Sequence, residues 1–364
     1  MERRATEAVY IVIRYYVYHG VTPAIMLVGV IGNLASLVFS VRCQRHMSSL
    51  KRSAYAGLFA LVASDLLFCA AGLPQMFVPD RSPDPSKPAD SVPHARFGFY
   101  YETYRGPLHN VFLLCSTWIV AIITAERYLV VSRPIHARFI MIRLHRTLLF
   151  YVGVFILAGL VALPLFLRYR AVEGDCFPGC RCLYMVPSPT FGSVRFRRVY
   201  NIVWVLVGVL LPLSCLLVAG IKLLRALRAQ WRQDDVVTAG QGRHQRQHLQ
   251  SSPVTTTVVG TSVTFILFVC PSIVVESFGL VVGVKTLSDS QLDIYRTVIV
   301  LLNLCLTIKF AGNFVFYVRL RQSPCHRRRE SRDRSALELN RVRSAEGHRS
   351  THNTEQACVT FVQS

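Results

Sequence analysis

Leu108–Tyr128 reads LHNVFLLCSTWIVAIITAERY. From Val111 to Ala125 the run carries no charge, and then Glu126 and Arg127 stand side by side, with Tyr128 after them and SRPI at 132–135. A helix with this order delivers a charged pair to the exit of a membrane. A charge left at the bilayer centre costs about 2.5–3.5 kcal/mol on insertion scales unless it is paired or solvated. Snorkelling to the headgroups would account for one arginine. It does not account for a carboxylate beside it and an aromatic after it.

Composition agrees with a membrane setting. Hydrophobic residues make up 52% of the 364 and charged ones 17%, below the roughly 25% charged of soluble domains. The apolar residues fall into seven blocks near the length of a membrane span. They run roughly over Val21–Val41, Ala54–Phe77, Pro107–Ile135, Thr147–Leu167, Val199–Leu224, Pro253–Leu280 and Ile294–Val318. The net charge is +21. Its basic residues sit between the blocks and in the tail rather than on a nucleic-acid face, so no nucleic-acid partner is expected. Arg42, Arg45, Lys51 and Arg52 follow the first block with no acid among them, as do Arg133, Arg138, Arg143 and Arg146 after the third. Basic loops remain cytoplasmic, which puts the N-terminus outside and the arginine-dense tail inside. The expected fold is an all-α membrane protein, a seven-transmembrane helix bundle. Its parts are a short extracellular N-terminus over 1–20, a bundle over 21–320 and a basic cytoplasmic tail over 321–364. The aromatic run before the first block extends that helix outward, and the polar stretch Arg225–Ser252 reads as a solvated loop.

The Glu126-Arg127-Tyr128 triplet at the end of a third span resembles the E/DRY motif of rhodopsin-like G-protein-coupled receptors. Asn33, Asp65, Pro212, Phe265 with Pro271, and Asn313 with Tyr317 stand where that class carries its landmarks, and the resemblance groups Asn33, Asp65, Ser116 and Lys309 into one intramembrane polar network. Within the class, AERYLVVSRPI, LPLSCLLVAGIKLLRALR and GNFVFYVRL are most similar to invertebrate neuropeptide receptors of the FMRFamide and thyrotropin-releasing-hormone type. The chain also departs from the class. Phe314 replaces the Pro of NPxxY, Val269 the Trp of CWxP and Gly220 a Tyr of the fifth span, and Glu102 stands where a disulfide-forming Cys is usual. Cys176, Cys180 and Cys182 of the second outer loop thus lack that partner. A bridge within the loop would leave one of them over.

The resemblance implies that Asp65, Ser116 and Asn313 surround a sodium ion, with a fourth residue that is usually Asn or Ser. Here it is Lys309. The expectation is an Asp65–Lys309 pair in which the ammonium replaces the metal, so neither metal nor cofactor is expected. The alternative has Lys309 bending outward to water. An opsin reading places its lysine six residues before the Asn, at Thr307. Lys309 is four before Asn313, about 200° around the helix from that position.

The same alignment sends His109, Asn110, Trp204, Glu276 and Asn303 toward a ligand pocket; each has packing or capping as its alternative. At rest, Arg127 is expected to pair with Glu126. The residues that begin span six carry no acid for a second lock, so raised basal activity follows. Cys325 is a palmitoylation candidate, with a free thiol as the alternative. The function implied is a plasma-membrane, multi-pass receptor for an extracellular peptide ligand, coupled to a heterotrimeric G protein. A receptor-like protein without coupling and a membrane transporter are the other readings. An enzyme is not expected.

Overall fold

The structure is a computed structural model. It describes residues 2–44, 49–78, 93–133, 144–177, 180–189, 191, 193–238, 253–278 and 287–317. Within those ranges the side chains of 174–177, 180–184 and Glu276, among others, lie outside the description. Residues 1–316 form one compact unit and 317–364 a second, of which Tyr317 alone is described.

The helices, in order, are α1 (Glu2–Tyr15), α2 (Thr22–Gln44), α3 (Ser49–Gly72), α4 (Pro93–Ser132), α5 (Leu144–Phe166), α6 (Val194–Val203), α7 (Leu211–Thr238), α8 (Pro253–Phe278) and α9 (Asp289–Gly312). Short π-helical segments, Tyr16–Val21 and Trp204–Leu210, join α1 to α2 and α6 to α7, and a 3-10 turn, Leu73–Phe77, follows α3. The joined pairs each make one continuous rod, so the described residues hold seven helices long and apolar enough to cross a membrane. The second and third rods are central: 61% and 56% of their apolar windows are buried, against 17% for the fourth. The fourth instead exposes Leu149, Ile156 and Leu160, a face for lipid.

Several rods outrun their apolar blocks, for local reasons. Residues 2–20 are helical, so the aromatic run before the first block does extend that helix outward. The third rod begins not at Pro107 but at Pro93, at the first helical position where a missing N–H costs nothing. Pro107 therefore lies inside the helix. The supposed loop from Arg225 is helical to Thr238, because Leu, Arg, Ala and Gln are good helix formers in water as well as in lipid. The last rod starts at Asp289, where Ser288 and Gln291 cap one another at 3.4 and 3.0 Å. The π-helical turn before Pro212 carries the Leu211 N–H to Leu206 O, taking up the ring that an α-helix would resist.

Among the described residues one element departs from an all-helical chain. Tyr169–Phe177 (β1) and Cys180–Pro187 (β2) pair as an antiparallel hairpin from Tyr169↔Pro187 to Phe177↔Cys180. It is tied to α4 by the Thr103 hydroxyl, which donates to Met185 Sδ at 3.4 Å. Elsewhere the rods meet through small residues. A Cβ on Gly29 would come within 2.8 Å of the Ala311 backbone, and one on Gly32 would strike the Phe314 ring. Such close approach is how helices pack without a hydrophobic drive between them.

Candidate functional site

Four side chains from three well-separated stretches of the sequence meet in the centre of the bundle. Asp65 of α3 and Ser116 of α4 are fully buried, and Lys309 and Asn313 at the end of α9 nearly so. Lys309 Nζ donates to Asp65 Oδ1 at 3.3 Å and to Ser116 Oγ at 2.7 Å. Ser116 in turn donates to Asp65 Oδ1 at 3.2 Å, and Asn313 Nδ2 donates to Oδ2 at 2.6 Å. The ammonium also lies 3.9 Å from the Phe310 ring centre and 5.4 Å from that of Phe265. Residues 309 and 313 are one helical turn apart, so both reach the same carboxylate. Two ions are tolerated this deep only when their remaining hydrogen-bonding capacity is met, and here it is. A resident sodium ion does not fit these residues. Oδ1 and the serine oxygen already face a cation, and Oδ2 is taken by Asn313. Asn33, grouped with this network by the resemblance, lies outside it and donates instead to Phe310 O at 3.1 Å. Its landmark position serves the contact between the first and last rods.

Toward the hairpin end the bundle opens into a cavity of about 490 Å³. His109, Asn110, Trp204 and Asn303 line it. Glu276 lies on α8 with its side chain outside the described residues. The sequence missed Thr22 and Arg105, together with Tyr18, Tyr200 and Tyr295, all of which also line the cavity, as does Arg168, one of the arginines that give the second outer loop its basic bias. Arg105 was findable: it stands four residues before His109, on the same helical face, once Pro107 is taken as interior. Arg105 donates to Gln75 Oε1 at 2.6 Å, lies 3.6 Å from Glu102 and sits 5.7 Å over the Tyr18 ring. Asn303 donates to the Tyr18 hydroxyl at 3.3 Å. The cavity touches the central cluster through stacked rings: His109 on Phe68 at 4.4 Å, and Phe68 on Phe310 at 3.8 Å, which underlies Lys309.

The opposite end carries Glu126, Arg127 and Tyr128. Arg127 is buried, with Nε and Nη2 unpartnered, and Glu126 Oε2 is buried and unpartnered too. The expected ion pair between them is not formed. Neighbours on a helix point about 100° apart, and the pairs that meet are three or four residues apart. One turn before Arg127, Thr124 Oγ1 and Ser262 Oγ lie 2.9 Å apart, joining α4 to α8. Two ordinary hydroxyls gave no signal in sequence. Tyr128 has Lys222 Nζ 5.9 Å from its ring centre. Pro212 is buried, Phe265 fully so, and Pro271 is exposed within α8. Val269, at the place of the usual Trp, is also fully buried. Tyr317 is the last described residue. Cys176, Cys180 and Cys182 lie on the hairpin strands with their side chains outside the described residues, as Cys325 is altogether.

A family model for the 7 transmembrane receptor (rhodopsin family) matches residues 32–311. No individual curated protein matches the chain.

Proposed function

The chain belongs to the rhodopsin family of seven-transmembrane receptors, and on that premise we propose that it binds an extracellular neuropeptide and activates a heterotrimeric G protein. The observation that carries this is the layout along one bundle: an open cavity with polar side chains on its wall at one end, a buried arginine with unpartnered nitrogens at the other. The stack His109–Phe68–Phe310 leads from the cavity to the charged cluster between them. In this reading the cavity end and the hairpin face outside. Residues 1–20 belong to that side, and 321–364 form a basic cytoplasmic tail beside anionic lipid. The membrane is the plasma membrane. The neuropeptide class rests on the similarity of AERYLVVSRPI and its companion stretches, and His109 stands where an amine receptor would hold an acid.

A ligand acts by preferring one of two helix arrangements and shifting their populations. Pro212, Phe265 and Pro271 mark where the rods bend between them. Arg127, with Tyr128 beside it, is released toward the G protein when α4 and α8 part, and the Thr124–Ser262 hydrogen bond opposes that parting. A single neutral tie is weak, so basal signalling stands above that of cells lacking the receptor.

The test is second-messenger output in cells expressing the full chain, challenged with a neuropeptide library beside Arg127→Ala. A ligand-dependent signal that the variant abolishes is expected. Silence at confirmed surface expression would overturn coupling and favour a receptor-like protein without it, a reading that Val269, Phe314 and Gly220 would then explain. Lys309 is the tethered cation of the central cluster. Agonist affinity should therefore be the same in sodium and in a bulky organic cation, and a sodium-dependent loss would refute that role.

A further inference from the structure

Three polar atoms around the cavity are buried without a hydrogen-bond partner: Thr22 Oγ1, Arg105 Nε and His109 Nε2. Buried polar groups are nearly always satisfied, so three orphans on one cavity call for an explanation. They lie along one seam. Arg105 sits over Tyr18, one turn before Thr22, and a Cβ at Gly72 would touch both Met26, one turn beyond Thr22, and His109 Nε2. A hydroxyl and a guanidinium N–H give hydrogen bonds, and the imidazole nitrogen gives or takes one according to its tautomer.

Among the described side chains, Glu276 not being one of them, the charge around the cavity has one sign. Arg105 and Arg168 line the cavity, and no Asp or Glu does among the described residues. Glu102 reaches Arg105 by a single contact at 3.6 Å and is half exposed, a pairing worth little in water. Gln75, its shorter partner, carries no charge. Asp293, the nearby acid of α9, is taken by Arg296 at 3.4 Å. The cavity volume lies within the range of small-ligand sites.

We propose that the cavity takes a carboxylate, held at Arg105 and Thr22 with Arg168 adding its charge from the hairpin side. This rests on the cavity being the receptor's ligand site. A carboxylate offers two oxygens to a guanidinium fork. It arrives either as the C-terminus of a peptide or on a small organic acid.

The experiment uses the purified full chain in lipid nanodiscs and reads thermal unfolding against ligand concentration. The probes are short peptides made as C-terminal acids and as C-terminal amides, and hexanoate and benzoate beside hexanamide and benzamide. Charged hydrogen bonds of this kind correspond to about a ten- to hundredfold difference in affinity, so acids should outbind their amides by at least about tenfold. Arg105→Gln should erase that preference. Arg168→Gln should reduce it, and Arg228→Gln, on the exposed face of α7, should keep it. Preference among the peptides alone identifies a peptide C-terminus, and among the small acids alone a free organic acid. Acids that bind no better than amides across both sets overturn the proposal. So does an Arg105→Gln variant that folds and keeps the full preference. Signalling is read separately: acid preference without second-messenger output would leave this site standing and remove the coupled-receptor reading.

Discussion

The central cluster and the cavity above it both hold buried polar groups, yet they are built to opposite rules. In the cluster each carboxylate oxygen of Asp65 accepts a hydrogen bond, and the ammonium of Lys309 has two oxygens and an aromatic ring. In the cavity, Thr22, Arg105 and His109 each keep an atom in reserve. A saturated polar group holds the fold together and has little left to offer a ligand. An unsaturated one weakens the fold until something fills it. The two are joined by the stacked rings of His109, Phe68 and Phe310, the last of which underlies Lys309.

The comparison breaks most clearly at Lys309. Lys309→Met leaves the Asp65 carboxylate buried and unpaired. It should cost about 3–5 kcal/mol in thermal unfolding of the purified chain, with much of the loss recovered in the Asp65→Asn, Lys309→Met double variant. A single variant as stable as the wild type would mean that the cluster is not closed. A matched pair of hydroxyl deletions sharpens the contrast. Ser116→Ala removes the acceptor of Lys309 and a donor to Asp65, and should cost about 1.5–3 kcal/mol. Thr22→Val removes an orphan and should leave ligand-free stability unchanged or raise it by up to about 1 kcal/mol. Equal losses at both positions would erase the distinction. The smallest effect lies at the other end. Ser262→Ala breaks the tie to Thr124, worth about 1 kcal/mol, and should raise basal signalling by up to about fivefold at matched surface expression.

Parts of this were legible in sequence for simple reasons. Asp65 and Lys309 interrupt apolar runs, and an ion there needs a partner. With Lys309 and Asn313 one turn apart, the other end of the network was nameable too. His109, Asn110, Trp204 and Asn303 followed from the landmarks of the family. The ends of the rods did not follow, because polarity marks where a helix leaves the lipid rather than where it stops. That error hid Arg105 behind Pro107. The Glu126–Arg127 pairing failed because adjacency along a helix is not adjacency in space. The hairpin carries no strong alternation, and the Thr124–Ser262 bond joins residues of the commonest kind.

What the amino-acid order determined by itself was the list of segments and their chemistry: seven apolar rods, basic connections, and a few ions that burial obliges to pair. Those follow from transfer energies, which act on each residue wherever it sits. Who meets whom was decided only when the rods packed. The approach of Gly29 to Ala311, the stack from His109 to Phe310 and the three atoms left waiting in the cavity depend on rotations and distances between helices. Those are properties of the packed bundle as a whole, and no single stretch of the chain carries them.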